Sequence, residues 1–147
     1  MNSLLRARNE NYHPDEVERE YACLAHFLGA LAALLSLGLF PPFLPPLITL
    51  WLNQRRGPFF LFHLNQTIVY QILAYGVYLV LVLIVTLVAT ATFGVGVVYY
   101  FFCLLVLMGT TAYPIVVGLA ARKGEWREFE WVGEYVLHRR QRIIGGN

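Results

Sequence analysis

Few side chains of this sequence could do chemistry in an apolar setting, and two histidines head the set. Apart from tyrosines and cysteines, His26 and His63 are the only titratable groups inside the two long uncharged runs of the chain. On a helix advancing 100° per residue, His63, Gln66, Thr67, Tyr70 and Gln71 fall within one arc of about 140°, and Asn65 falls on the opposite face. A polar stripe at the mouth of a transmembrane helix must face protein or water, not lipid. It has two readings: a lined cavity or path, or amides and rings that bridge helices through hydrogen bonds worth about 0.6 kcal/mol each. The second is ordinary in helical membrane bundles and is the favoured one. His26 and His63 could also hold a b-type haem through both axial positions, given similar depth on facing helices. Neither is flanked by a haem-sized cluster of small residues, so structural histidines are the plainer reading and no cofactor is expected.

The remaining catalytic signatures are missing. No carboxylate lies in the apolar runs to pair as acid and base, and there is no Ser-His-acid set, metal-ligand spacing or phosphate-cradling glycine loop. Intramembrane proteolysis would need a buried Asp pair, a Ser-His dyad or a zinc site, and the few polar groups do not supply one. The chain therefore reads as no enzyme. Cys23 and Cys103 both fall in apolar runs and read as buried fillers, not a disulfide or a metal pair.

The elements that must position these residues follow from the charges. The chain has 147 residues, 58% hydrophobic and 14% charged, against about 25% charged in soluble domains, and its mean hydropathy is +0.56. Residues 21–54, 34 in all, and 57–121, 65 in all, contain no Asp, Glu, Lys or Arg. A helical crossing needs roughly 20 apolar residues. The charges are confined to 1–20, 55–56 and 122–147, so 1–147 reads as one membrane domain. Residues 1–20 carry three arginines and five acids without an apolar core, unlike a signal peptide.

A helix can start at His13-Pro14-Asp15-Glu16, with proline at its first position and acids at the positive end of the dipole, and run to about Phe40. Pro41, Pro42, Pro45 and Pro46 then stop it. Leu47 to Asn53 is apolar but reaches only about 12 Å of a core near 30 Å, so 21–54 reads as a first span with a short return. Arg55-Arg56-Gly57-Pro58 is a turn. A hairpin over 59–121 follows: a helix from about Phe59 to Val88, a break at 89–96, and a span from about Val97 to Ala121. Pro114 should kink this last helix, with Thr110 and Thr111 satisfying the freed backbone groups. Thr110, Pro114 and Gly118 recur every four residues, as a packing face within the chain or between chains. The tail 122–147, with Trp126, Phe129, Trp131 and Tyr135 beside basic groups, has the composition of an interfacial segment; its cations suit lipid phosphates better than nucleic acid.

The expected fold is an all-α integral membrane helical bundle with three full transmembrane helices and one short half-span, or four spans in the alternative. Arg55, Arg56 and the tail share one side, which the positive-inside rule places in the cytoplasm. If 21–54 goes in and returns, both termini lie there; if it crosses once, the N-terminus is outside. The proline turn and Arg19 favour the first.

Four stretches resemble the Tic-twenty-like family of small membrane proteins, mostly bacterial and of unknown function: Tyr21-Ala22-Cys23-Leu24-Ala25-His26-Phe27, Pro45-Pro46-Leu47-Ile48-Thr49-Leu50-Trp51-Leu52, Pro58-Phe59-Phe60-Leu61-Phe62-His63-Leu64-Asn65-Gln66, and Ala121-Arg122-Lys123-Gly124-Glu125-Trp126. The likeness covers about 17–130 and departs at Pro45, where glycine is usual, and at Leu64-Asn65, where the family often has a charged pair. It implies a four-span count and, through the plant relative in the chloroplast inner-envelope translocon, a part in protein passage or complex assembly. The function expected is a non-catalytic subunit or assembly partner of other proteins in the bilayer, here the bacterial inner membrane; the alternatives are a channel or translocation component and a bis-histidine haem protein.

Overall fold

The computed structural model describes residues 12–53, 57–92, 94–129 and 132, with Val95 by its backbone alone. The expected turn at Arg55 and Arg56, and the tail beyond Phe129 with Trp131 and Tyr135, lie outside the described residues. Those described form four α-helices and no strand.

Helix α1 covers Glu16–Leu35. Asp15 caps it, its side chain accepting the Glu18 N–H at 2.6 Å, and the acids of the first turn suit the helix dipole. The helix ends five residues before the expected stop at Phe40, ahead of the first proline. Leu37 N–H donates to the Leu34 carbonyl and Gly38 N–H to that of Ala33, the paired bonds of a Schellman cap. Leu37 (φ 50°) and Gly38 (φ 78°) are both left-handed; at Gly38 a side chain would strike the Tyr78 ring.

Helix α2, Leu44–Leu52, begins inside the proline run, with Pro45 and Pro46 in its first turn, where a missing N–H costs nothing. Helix α3 is Pro58–Ala91. After the left-handed Gly94 (φ 91°), a 3-10 turn Val95–Tyr99 leads into α4, Tyr100–Arg122.

Two helical stretches, Pro58–Ala91 of 34 residues and Gly96–Arg122 of 27, are long and apolar enough to cross a membrane. Of the three full spans expected, the described residues show two helices of that length and composition. Helix α1 spends its first turn and more on Glu16, Glu18, Arg19 and Glu20, which leaves only residues 21–35 as apolar helix.

The helices meet at one end. Ala22 of α1, Phe59 of α3 and Ala121 of α4 are buried together, with Tyr12 and Trp126 packed on them. Helix α1 thus leaves this end, and α3 starts from it again. Higher up, Ala33, Tyr78, Cys103 and Leu107 form a second buried cluster. Between the two, α1 and α4 approach closely: a Cβ on Gly118 would lie 2.9 Å from His26 Cβ and 3.3 Å from the Cys23 carbonyl oxygen. The face of α1 turned inward is Ala22, Ala25, Gly29, Ala30 and Ala33, small enough for backbones to touch.

Candidate functional site: a buried histidine junction

Where α1, α3 and the segment after α4 converge, the polar stripe of α3 closes on His26. His26, His63, Gln66 and Thr67 have no exposed surface and Gln71 has 2%. His26 Nε2 lies 3.1 Å from His63 Nδ1, and the two rings cross edge to face with centroids 5.3 Å apart. Thr67 Oγ1 is 2.8 Å from His26 Nδ1 and 2.7 Å from the His63 carbonyl oxygen.

The partners fix the protons. Gln66 Oε1 accepts the Phe129 N–H at 3.2 Å, and Gln66 Nε2 donates to the Arg127 carbonyl at 3.0 Å. The amide cannot be reversed without breaking both bonds. Its second N–H therefore points at His63 Nδ1, 3.0 Å away, which must carry a lone pair. His26 can then bond the same atom only as donor from Nε2, and its Nδ1 faces the Thr67 hydroxyl, whose single proton it shares with the His63 carbonyl oxygen. The proton of His63 is left on Nε2, which is buried and closes no hydrogen bond, although the Glu125 backbone carbonyl lies close by.

Aromatic rings seal the junction. Phe129 stacks on Tyr70, centroids 4.3 Å apart and planes 11° from parallel, and lies 5.5 Å from the His26 ring. Phe59 and Phe62 sit 4.5 and 5.3 Å from His63. Phe129, expected at a lipid interface, is instead 1% exposed: Gln66 ties its backbone inward, and its ring follows.

Each residue singled out in the sequence has a definite place. His63, Gln66, Thr67 and Gln71 share the buried face, and Asn65 turns away to bond the Leu61 carbonyl at 2.6 Å. Gln71 packs on Gly29, where a Cβ would lie 2.9 Å from its Nε2. Tyr70 is half-buried and reaches α4. Pro114 and Gly118 are buried within the chain, and Thr110 is half-buried. Thr110 and Thr111 bond the carbonyls of Leu107 and Met108, so neither hydroxyl serves the carbonyl that Pro114 frees. Cys103 is buried and Cys23 half-buried, both as free thiols.

Sequence reasoning missed Glu18. This carboxylate of α1 is 5% exposed; it accepts the Phe60 N–H at 3.0 Å and the Tyr12 hydroxyl at 2.6 Å. It caps α3 from another helix, because Gly57 at the cap position has no side chain to do so. A signal was present: Gly57-Pro58 opens a long helix without a capping side chain, so an outside acceptor was needed.

The arrangement joins helices. The stripe is packed between α1, α3 and residues 125–129, which gives no support to a lined path. The direct contact of the two imidazoles leaves no room for a porphyrin iron between them. Among the described residues no group of three or more His, Cys, Asp or Glu is placed to hold a metal. A groove of about 320 Å³ between α3 and α4, lined by Leu81, Val85, Val88, Tyr99 and Phe102, is apolar.

Comparison with known proteins adds one finding. The model of the magnetosome magnetite crystal formation protein family, MamF/MmsF, matches residues 17–133. No curated protein and no solved structure shows significant similarity to the chain. The match overturns the resemblance to the Tic-twenty-like family. The four stretches that carried that resemblance mark mostly helix ends. Pro45-Pro46 and Gly57-Pro58 are helix starts, and Lys123-Gly124-Glu125 is a Schellman cap in which Gly124 (φ 83°) donates to Ala121 and Glu125 to Ala120. Any family with such helices needs those residues.

Proposed function

The chain belongs to the magnetosome magnetite crystal formation protein family, and from that premise we propose that it is a non-catalytic helical membrane protein that takes part in magnetite formation as an assembly partner of other membrane proteins. One observation carries this reading. The side chains fit for chemistry turn inward, and their polar atoms bond one another or the backbone except at the buried His63 Nε2 and Gln71 Nε2, while α3 and α4 present apolar surface outward. Leu73, Val77, Leu83, Leu87, Phe101 and Met108 are each more than half exposed. In water that surface would be costly at about 25 cal/mol per Å²; in a bilayer it is solvated.

In this reading α3 and α4 cross the membrane, and α1 and α2 pack against them from one side. The end bearing Arg122 and Lys123 faces the cytoplasm by the positive-inside rule. The membrane is that of the magnetosome. Deletion of the gene in magnetosome-forming cells tests the role. Crystal dimensions in electron micrographs should change and should return to normal with the wild-type gene; unchanged crystals in the deletion strain would remove it. Mild-detergent purification tests the assembly part, where a lone monomer without co-purifying membrane proteins counts against it.

A further inference from the structure

The turn between α1 and α2 has few backbone donors, and most of those are bonded. Pro41, Pro42, Pro45 and Pro46 have no N–H. The N–H groups of Ser36, Leu37, Gly38, Leu39, Leu44 and Leu47 each donate to a backbone carbonyl at 2.9–3.2 Å. Water would serve open donors at a surface turn, but hydrocarbon cannot. The outward side chains match: Leu35, Leu37 and Leu39 are 78, 61 and 88% exposed.

Depth follows from α3. The Tyr78 hydroxyl donates to the Leu37 carbonyl at 3.0 Å, and Phe43 lies edge-on to Tyr75, 6.3 Å away. Beyond Tyr78, α3 continues through residues 79–91, about 20 Å at 1.5 Å per residue. A bilayer measures about 40–45 Å with its headgroups and about 30 Å across its core. Helix α3, about 51 Å long, fits the larger figure at a tilt of about 30°, within the usual range. The α1–α2 turn then stops about 10 Å short of the far hydrocarbon boundary.

We propose that α1 and α2 form a re-entrant hairpin whose tip is seated among acyl chains. The molecule is then a wedge, four helical segments wide where α1 and α3 begin and two wide at the Gly94 end, and the partner it fits is a bilayer curved convex toward the wide end. The idea rests on the membrane reading above and adds to it a depth and a shape.

The test uses the full chain in sealed giant vesicles, with single cysteines in a background lacking Cys23 and Cys103. A membrane-impermeant maleimide should label Lys123→Cys from one side and Thr92→Cys from the other. It should label Leu39→Cys from neither side until detergent is added; Phe40→Cys serves if Leu39→Cys does not fold. Molecules whose wide end faces out should be enriched on tubes pulled outward, relative to the parent vesicle. Labelling of Leu39→Cys from the Thr92 side means a full crossing and overturns the proposal. Labelling from the Lys123 side places the turn in water, and equal density on tube and vesicle denies the wedge; each also overturns it. If all three sites react from one side of sealed vesicles, the membrane reading itself fails.

Discussion

The hydroxyl of Tyr70 on α3 donates to the backbone carbonyl of Thr110 on α4 at 3.0 Å. That carbonyl is the one left without its helical donor, because Pro114, four residues on, has no N–H. Helix α4 continues through Pro114 with the freed acceptor satisfied from a neighbouring helix. The bond ties the polar stripe of α3 to the proline-bearing face of α4.

Tyr70→Phe should therefore destabilise the fold by about 1–3 kcal/mol, the cost of a buried acceptor left open. Pro114→Ala restores a donor for Thr110, so Tyr70→Phe should cost much less in that background. Thermal unfolding of the two single variants and the double variant in detergent measures the coupling. Additive effects would show that the two residues act separately.

Removing the Glu18 carboxylate should loosen the end where three helices meet. Glu18→Ala takes the acceptor from Phe60 N–H and from the Tyr12 hydroxyl, at about 1.5–3 kcal/mol for hydrogen bonds to a charged group. Glu18→Gln keeps an acceptor oxygen and should cost less. Melting temperatures in the order wild type, Gln, Ala are expected, and an Ala variant as stable as wild type would contradict the cap.

Two glycines should answer oppositely to the same change. At Gly118 an added Cβ meets His26 and Cys23 of α1, whereas at Gly76 nothing lies within 4 Å. Gly118→Ala should destabilise the fold by about 1–3 kcal/mol through overpacking; Gly76→Ala should be neutral or gain about 0.5–1 kcal/mol from the helix preference for alanine. Equal responses in melting temperature would refute the close α1–α4 approach.

The hydrogen bond to Glu18, with burial and the charges of Glu18 and Asp15, pushes the Tyr12 phenol up from 10.0 to about 12. A raised folded-state value favours the neutral phenol. Its contribution to stability is complete below about pH 10 and is lost as pH rises toward 12. An ultraviolet titration should show one tyrosine ionising near pH 12 in the wild type and missing in Tyr12→Phe; identical curves would contradict the contact.

Much of this arrangement was legible in the sequence, and the reason for each gap is physical. The run without charges over 57–121 marks α3 and α4, because length and hydropathy are local properties. The arc of His63, Gln66, Thr67 and Gln71 follows from helical spacing alone. The partner of His63 does not: that His26 stands beside it depends on α3 starting again from the end that α1 leaves, a long-range fact. Phe129 and the carbonyl of Arg127 escaped for the same reason, since an interfacial composition says nothing of a backbone held by Gln66 about 60 residues earlier. The end of α1 at Leu35 was hidden because its cap uses Leu37, a residue type that rarely adopts positive φ.

Solvation of α3 and α4 by lipid along their outward faces is the premise of the proposed function. Hydrogen exchange of the full chain in bilayer nanodiscs tests this most directly. The amides of residues 79–91, which project beyond the α1–α2 turn, should exchange as slowly as those of the packed residues 59–71. If the upper half of α3 exchanges at the rate of an exposed helix in water, the chain does not cross the membrane as described here.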